Sequence, residues 1–505
     1  MRKIFLITLF FSLFFALPLF AQTDTAWVRT YWGGPYTDSR SICLDSFGNV
    51  YVAGICGGDY ITIKYYPNGD TSWVRRYNGP ASGLDYARAI GVDYAGNVYV
   101  TGVTGYGSNR DSFDDYATLK YDSCGNEIWV KIYNGPGNYI DEAWGLTIDK
   151  SGNVYVTGCS VGNGTGYDYA TIKYDPDGNE LWVKRYNKKY GDMARAITID
   201  DSNNIYVTGQ SQDSVSSSDY ATIKYDRNGY ELWISKYNGP ANSFDEGFAI
   251  SVDDYSNVYV TGRSYGDGTD WDYVTIKYDP NGNELWARRY NRSESYSEEI
   301  ATDIVVDGSG NVYVTGFSGY YPDYDYLTIK YDFTGNQLWL RTYDGIGNSY
   351  DNATAIALDD SDNVYVTGFS ALFKSDPFSF DYATIKYAPD GNEVCVKRYN
   401  GPGNSVDMPL AIAVDDSFNI YLTGSTNGVS LLIIKYFPII LVGDANSDGS
   451  LNVSDLVYLI NYLFKGGSAP NPLLLADLNN DEYLTVSDVI YLINYLFKGG
   501  PSPIC

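Results

Sequence analysis

Two acidic loops near the C-terminus carry the clearest chemical pattern in the chain. In each loop, oxygen-bearing residues occupy positions 1, 3, 5, 7, 9 and 12, and position 7 would contribute its backbone carbonyl. This alternation suits Ca²⁺, a hard cation that takes about six to eight oxygen ligands. The loops start 33 residues apart and precede near-identical segments, so chance is a poor explanation. The two predicted Ca²⁺ sites consist of Asp444, Asn446, Asp448, Ser450, Asn452 and Asp455, and of Asp477, Asn479, Asp481, Tyr483, Thr485 and Asp488.

The two loops differ at position 6, where the first has Gly449 and the second has Glu482. This position requires a sharp turn with positive φ, which glycine adopts without the steric cost that a Cβ brings. We therefore expect the second site to bind Ca²⁺ more weakly than the first.

An apolar segment with helical spacing follows each loop, at 456–467 and at 489–500. Ser454 and Ser487 are the predicted N-caps, and Gly466 and Gly499 the predicted C-terminal caps. Apolar residues lie on more than one side, and two short helices cannot cover all of that surface for each other. The segments therefore need a partner surface, either on another protein or on the rest of this chain, as an end cap.

Residues 443–500 resemble a type I dockerin, with Asp at position 12 of both EF-hand-like loops. The resemblance implies a small all-α module that folds with Ca²⁺ and binds a cohesin module. It also implies that Val453, Ser454, Val486 and Ser487 lie at the recognition positions. Because the two halves match closely, either half could face the partner.

The composition excludes several kinds of chemistry. The chain has no histidine, which rules out Ser-His-Asp and Cys-His hydrolases, histidine zinc sites and imidazole acid-base catalysis. Its net charge of -27 disfavours binding to nucleic acid or anionic membranes. The six cysteines form no CxxC pair, and we interpret them as free or incidental thiols.

Most of the chain consists of copies of one unit, marked by NVYVTG, DYATIKY and LWVKRYNGP. Each copy has four short runs of β-branched and aromatic residues between turn-forming residues. In the third full copy the first run ends at 149 and the others cover 154–157, 169–174 and 181–186. Four strands per repeat of this length predict propeller blades. NVYVTG or a near copy starts at Asn49, Asn97, Asn153, Asn204, Asn257, Asn311, Asn363 and Asn419.

The last copy lacks a fourth strand and stops at Tyr436, whereas residues 25–31, TAWVRTY, match that strand and precede the first copy. We predict an all-β, eight-bladed propeller in which the N-terminal strand closes the last blade. Closure would remove the exposed edge that an open ring leaves.

Two sets of loops are candidates for a ligand face. The second-to-third loops carry aromatic residues that could stack on sugars or peptides, or pack on one another. These residues are Tyr106, Phe113, Tyr167, Tyr265, Trp271, Tyr320, Tyr321 and Tyr324. The fourth-to-first loops end in an acid, which could join a cation site or accept hydrogen bonds from its own turn; we favour the second. These acids are Asp85, Asp141, Asp192, Asp245, Glu299, Asp351 and Asp407, with Asp38 displaced by one position.

The repeat resembles the bacterial SBBP β-propeller repeat over residues 24–436. This resemblance implies the fold and no activity. The DPDGNELW turn is also similar to the tryptophan-docking motif of quinoprotein dehydrogenases. It departs from that motif by a spacing one residue shorter, from Asp175 to Trp182, and the family's adjacent cysteine pair is missing, so we expect no quinone cofactor.

The N-terminus has a basic start, an apolar run at 4–20 and Ala21, which resembles a secretory signal peptide; a retained membrane anchor is the alternative. The predicted organisation is a signal peptide at 1–21, a propeller at 22–436, a linker at 437–443 and a dockerin at 444–505. The sequence thus favours a secreted, non-catalytic binding or scaffold protein on a cohesin-bearing surface or complex. The alternative is a dockerin-borne glycoside hydrolase or lyase of polysaccharide breakdown with its site on the propeller face.

Overall fold

The structure is a computed structural model of the 505-residue chain. It describes residues 25–80, 82–106, 114–188, 190–214, 217–292, 297–347, 349–373, 376–402, 406–438, 443–446, 451–470, 476–478 and 483–498. The predicted signal peptide lies outside these residues. The chain forms two compact units, Thr25–Pro438 and a second unit that contains the residues from Ile439 onward.

In the described residues, the first unit has thirty-two strands, and each copy of the repeat uses four of them. The first strands are β2 Asp38–Leu44, β6 Ser82–Val92, β10 Asp141–Ile148, β14 Gly191–Ile199, β18 Asp245–Val252, β22 Glu298–Val306, β26 Asp351–Leu358 and β30 Met408–Val414. The second strands are β3 Val50–Cys56, β7 Val98–Tyr106, β11 Val154–Val161, β15 Ile205–Ser214, β19 Val258–Tyr265, β23 Val312–Tyr320, β27 Val364–Phe373 and β31 Ile420–Thr426.

The outer two strands of each copy follow the same pattern. The third strands are β4 Asp59–Tyr65, β8 Asp115–Tyr121, β12 Tyr167–Tyr174, β16 Ser217–Tyr225, β20 Trp271–Tyr278, β24 Asp323–Tyr331, β28 Asp376–Tyr387 and β32 Ser430–Tyr436. The fourth strands are β5 Thr71–Tyr77, β9 Glu127–Tyr133, β13 Glu180–Tyr186, β17 Glu231–Tyr237, β21 Glu284–Tyr290, β25 Gln337–Tyr343 and β29 Glu393–Tyr399. The N-terminal strand is β1 Thr25–Tyr31.

The burial of the strands explains their composition. In the third copy, β11 and β12 are buried along almost their whole length, because neighbouring sheets cover both faces, whereas β13 begins with exposed residues. Strands buried on both faces need a nearly continuous apolar or small-residue sequence, which VYVTG and DYATIKY provide. The strands predicted for this copy are confirmed: the first ends one residue before its predicted end, and the other three extend beyond their predicted limits.

Within each copy the strands pair antiparallel in chain order. The described strands form six four-stranded sheets and one eight-stranded sheet, in which a single parallel pair, Tyr167 with Gly191, joins two copies. The last sheet has the order β1-β32-β31-β30, so the N-terminal strand takes the fourth place, with Val28 opposite Ile434. This is the pairing that the sequence predicts for residues 25–31.

In every copy except the seventh, a tryptophan on the fourth strand connects the copy to the next one. Trp129 Nε1 donates to the carbonyl oxygen of Pro176 (3.2 Å), in the third-to-fourth turn of the following copy, and its ring lies against Gly178 of that turn. Trp27 makes the same contact from β1 to the Pro67 carbonyl of the first copy (3.1 Å), so the last sheet packs on the first. The other tryptophans with this contact are Trp73, Trp182, Trp233, Trp286 and Trp339.

The second unit contains the helices α1 (Val453–Lys465) and α2 (Val486–Lys498). Both start and end a few residues before the limits predicted from the apolar segments. They pack through a small core in which Leu459 and Leu492 are fully buried. Among the described residues, neither helix is long and apolar enough to cross a membrane.

Candidate calcium and docking site

The first acidic loop enters α1 through a capping box. The side chain of Asn452 accepts a hydrogen bond from Ser454 N (2.8 Å), and the side chain of Asp455 accepts one from Asn452 N (2.8 Å). The prediction that Ser454 is the N-cap is therefore wrong, because the amide oxygen of Asn452 already receives the free N–H group of the first turn. Gly466 is the predicted C-terminal cap, with φ 69°.

The carboxylate at position 12 closes each loop. Asp455 is fully buried and accepts hydrogen bonds from Asn446 N (3.3 Å) and Asn452 N (2.8 Å), at positions 3 and 9. Asp488 is equally buried and accepts from the N–H groups of positions 2 and 9 of the second loop (2.9 and 2.8 Å). One carboxylate thus holds the two ends of each loop together.

The described ligand residues fit a hard cation. Asp444 and Asp477, at position 1, are buried beside their loops, and Asn446 and Thr485 offer further oxygen atoms. Carboxylate, amide and hydroxyl oxygens are the donor set that Ca²⁺ prefers. Four predicted ligands lie outside the described residues, namely Asp448, Ser450, Asn479 and Asp481; the contrast between Gly449 and Glu482 lies there too.

Both helices leave an apolar surface in contact with solvent. The residues predicted for partner recognition, Val453, Ser454, Val486 and Ser487, lie at the start of the helices and are exposed. Equivalent apolar residues continue the surface along each helix, up to Phe464 and Phe497, which are 59% and 62% exposed. The exposed set comprises Val453, Val457 and Phe464 on α1, and Val486, Ile490 and Phe497 on α2.

In the first unit, the acids of the fourth-to-first loops are buried rather than exposed at an opening. Asp85 accepts a hydrogen bond from Gly79 N (2.8 Å) at the start of its own loop, and five other acids of the set have an equivalent contact. The prediction that these acids bond to their own turn is confirmed for these six, whereas Asp38, the displaced acid, is partly exposed. Desolvation raises the pKa of Glu299 and Asp351 to about 7.

The loop aromatics of the fifth copy pack on one another. Tyr265 and Trp271 meet edge to face, with 5.4 Å between ring centroids, and the Arg263 guanidinium lies 4.1 Å from the centroid of Trp271. Tyr167, in the third copy, is half-buried. Mutual packing, the alternative to ligand stacking, therefore occupies part of this surface.

The loop aromatics of the sixth copy divide into buried and exposed residues. Tyr324 is buried, packs edge to face with Tyr350 (5.0 Å) and donates to Glu298 Oε2 (2.6 Å). Tyr320 and Tyr321 are 49% and 63% exposed. The side chain of Tyr106, at the end of β7, and the whole of Phe113 lie outside the described residues. Exposed rings that remain available to a ligand thus concentrate at 320–321.

The cysteines differ from one another in state. Cys43, Cys56, Cys124 and Cys159 are free, as predicted. The prediction is wrong for Cys395, which takes part in a disulfide. Burial raises the pKa of the Cys43 and Cys159 thiols, so both stay protonated at neutral pH. Cys505 lies outside the described residues.

Comparisons with known proteins find a family match in each part of the chain. The family model for the dockerin type I domain matches residues 442–497, and the SBBP beta-propeller repeat model matches residues 73–105. An uncharacterized WD repeat-containing protein of Acanthamoeba polyphaga mimivirus is 25% identical over 381 residues, which cover 63% of this chain and 26% of that protein. The chain thus spans about a quarter of the length of this curated relative.

Two solved structures that match the chain are virginiamycin B lyase from Staphylococcus aureus and the periplasmic gluconolactonase of Pseudomonas aeruginosa. The first is 9% identical with a TM-score of 0.40, and covers 81% of this chain and 99% of its own. The second is 11% identical with a TM-score of 0.44, and covers 76% and 98%. Similarity at this level gives no information about the activity of this chain. The chain carries β-propeller repeats of the SBBP type followed by a C-terminal type I dockerin domain.

Proposed function

We propose that this protein is a secreted, non-catalytic binding or scaffold component, and that its dockerin anchors it to a cohesin module on a cell surface or in an extracellular complex. The supporting observation is the duplication of the exposed surface. Each helix presents apolar side chains at equivalent positions, directly after a loop with calcium-ligand spacing. A soluble module gains nothing from exposing two such surfaces unless a partner covers one of them.

Calcium links the loops to this surface. Asp444 and Asp455 bring two buried carboxylates to the first loop, and Asp477 and Asp488 do so in the second. Without a cation these like charges repel one another at low dielectric. Ca²⁺ would neutralise them, so the helices would keep their relative position only in the calcium-bound form.

A pull-down on immobilised type I cohesin modules tests the anchor. We expect retention of the full chain with Ca²⁺ and its loss with EDTA. Because either helix could face the partner, Val453→Arg or Val486→Arg alone should leave binding almost intact, and the double variant should abolish it. Equal retention of the double variant would refute the assignment of the recognition positions.

The same experiment separates an anchor from an end cap. If the helices only cover another part of this chain, no cohesin module will retain the wild type in Ca²⁺. That result would refute the anchoring function, whatever ligand the propeller binds.

We further propose that the repeats close into an eight-bladed propeller that presents a ligand face. Two contacts support closure: β1 pairs with β32, and Trp27 donates to the Pro67 carbonyl of the first copy. The exposed rings of Tyr320 and Tyr321 make glycans or peptides the ligand classes to test first. Binding on a glycan array that Tyr320→Ala and Tyr321→Ala remove would support this face.

An enzyme of polysaccharide breakdown is the alternative function. The recurrent loop acids support it poorly, because they are buried and bonded to their own turns. Incubation of array-positive glycans with the protein, followed by product analysis, decides between the two. Release of shortened or unsaturated products would refute the non-catalytic proposal.

A further inference from the structure

The Asp of DYATIKY, in the third strand of the repeat, has two donors at the end of the fourth strand in the third and fifth copies. In the fifth copy, Arg289 Nη2 donates to Asp272 Oδ2 (2.5 Å), and Asn291 Nδ2 donates to Asp272 Oδ1 (2.7 Å). The third copy has the same arrangement. An arginine and an asparagine thus satisfy both oxygens of a carboxylate that is almost buried.

The sixth copy breaks this arrangement around Asp325. Thr342 replaces the arginine, and Asp344 replaces the asparagine that every other copy with its own following fourth strand has. Instead, Arg292 Nη1, from the end of the previous copy, donates to Asp325 Oδ2 (3.2 Å). The exchange removes a cation and an amide and adds a second carboxylate.

A third carboxylate comes from the next copy. Ligand oxygens of Asp325, Asp344 and Asp351 all lie within 4.8 Å of one another. Asp351 is fully buried, and its Oδ2 accepts from Gly345 N (2.7 Å). Its Oδ1 is also buried; the Ser370 hydroxyl lies near this carboxylate, but no donor among the described residues reaches Oδ1 with good hydrogen-bonding geometry. A buried acceptor without a donor calls for a proton or a cation.

The cluster is specific to this place in the ring of copies. Oδ1 of Asp141 and Asp245 also lacks a donor, but the neighbouring position of the preceding copy is an asparagine there. Burial and then the charge of Asp344 raise the pKa of Asp325 to about 6, so the three acids oppose one another's ionisation. The extra carboxylate of Asp344 is therefore found only at the junction of the sixth and seventh copies.

We propose that Asp325, Asp344 and Asp351 bind one Ca²⁺ ion, in addition to the two dockerin sites. Two oxygens on one Ca²⁺ lie at most about 5 Å apart, because each Ca–O distance is about 2.3–2.6 Å, and the cluster meets this limit without moving. Asp344 is exposed, so water can reach the open side and complete the coordination.

The ion would connect two adjacent copies of the repeat, since β24 and the residue after β25 supply two ligands and β26 supplies the third. This role needs no substrate and is independent of cohesin binding. We expect a dissociation constant of about 10⁻⁴ to 10⁻³ M, the range of calcium sites in extracellular modules.

Equilibrium dialysis of the full chain against ⁴⁵Ca²⁺ tests the proposal. Asp344→Asn restores the residue of the other copies, and should bind one Ca²⁺ fewer than the wild type. Asp267→Asn removes the same charge from an exposed loop position outside the cluster, and should bind as much Ca²⁺ as the wild type. The dockerin sites contribute equally to all three proteins, so the difference reports the cluster.

A second variant guards against misfolding. Thr342→Arg introduces the arginine that the third and fifth copies have at this position and keeps Asp344. It should weaken the additional site at least tenfold while far-UV circular dichroism stays that of the wild type. If Asp344→Asn and Thr342→Arg, both folded, bind the same number of Ca²⁺ ions with the same affinity as the wild type, the proposal is overturned. The acids would then share a proton instead.

Discussion

Replacing Trp27 by alanine measures how much the packing of the N-terminal strand in the last sheet contributes to the unfolding free energy. Trp27 is 7% exposed, stacks on Tyr65 (6.1 Å between centroids) and lies 6.2 Å from the ring of Tyr421. Its Nε1 donates to the Pro67 carbonyl at 3.1 Å. Truncation of a buried tryptophan costs about 3–5 kcal/mol of unfolding free energy, and the lost hydrogen bond accounts for about 1 kcal/mol of that.

Trp129 is a matched control in the middle of the array. It is 8% exposed, lies 6.0 Å from the rings of both Tyr99 and Tyr174, and donates to the Pro176 carbonyl at 3.2 Å. Its strand is connected to the sheet by a hairpin, whereas the strand of Trp27 comes from the other end of the unit. If β1 is an integral fourth strand, the two alanine variants should lose the same free energy within about 1 kcal/mol.

Urea unfolding followed by far-UV circular dichroism is the assay, with the midpoint and slope compared among the wild type, Trp27→Ala and Trp129→Ala. A loss of about 3–5 kcal/mol in both variants agrees with a structural role for β1. A loss below about 1 kcal/mol in Trp27→Ala, beside a full loss in Trp129→Ala, would refute the reasoning and would favour an open array.

Three further predictions concern other parts of the chain. Gly178→Ala places a Cβ 2.8 Å from the ring of Trp129, whereas Gly164→Ala meets nothing within 4 Å at nearly the same φ (81° and 79°), so the first should lower the unfolding free energy by about 1–3 kcal/mol more than the second in urea unfolding. Because burial raises the pKa of Glu299 from 4.5 to about 7, the folded state binds the extra proton, and stability should fall by up to about 3 kcal/mol as pH rises from 4.5 to 7. Melting temperatures at pH 5 and pH 8 should differ less in Glu299→Gln than in the wild type, and an unchanged difference would contradict the assignment. Glu482→Gly should raise the Ca²⁺ affinity of the second dockerin loop towards that of the first in a calorimetric titration; two equal wild-type sites would contradict the premise.

The sequence predicts the strands well because their spacing and composition are local properties. The turn after the first strand shows this: Asp149 Oδ1 accepts from Ser151 N and Asn153 N (both 2.9 Å), and Gly152 has φ 80°. A DxxGN segment contains every group that this turn needs. The loop acids likewise find their partners within their own copy, so their role could be inferred without tertiary structure.

The unpredicted features depend on contacts between copies. Asp344 and Asp351 are close in sequence, but their neighbour Asp325 stands on another strand, and only the packing of the sixth copy on the seventh brings the three together. Alignment of the copies with one another would have shown that Thr342 and Asp344 depart from the repeat. It would not have shown that the departure faces a buried carboxylate without a donor.

The docking of each tryptophan onto the next copy also explains an exception in the sequence. Cys395 occupies the tryptophan position of the seventh copy. A tryptophan there would need the third-to-fourth turn of the eighth copy, with its carbonyl acceptor and its glycine, as Gly391 serves Trp339. The eighth copy has no such turn, since no strand follows β32 in the described residues up to Pro438. The seventh copy therefore lacks the tryptophan because the eighth copy lacks the hairpin that would accept it. Trp27 on β1 makes the equivalent contact with the first copy.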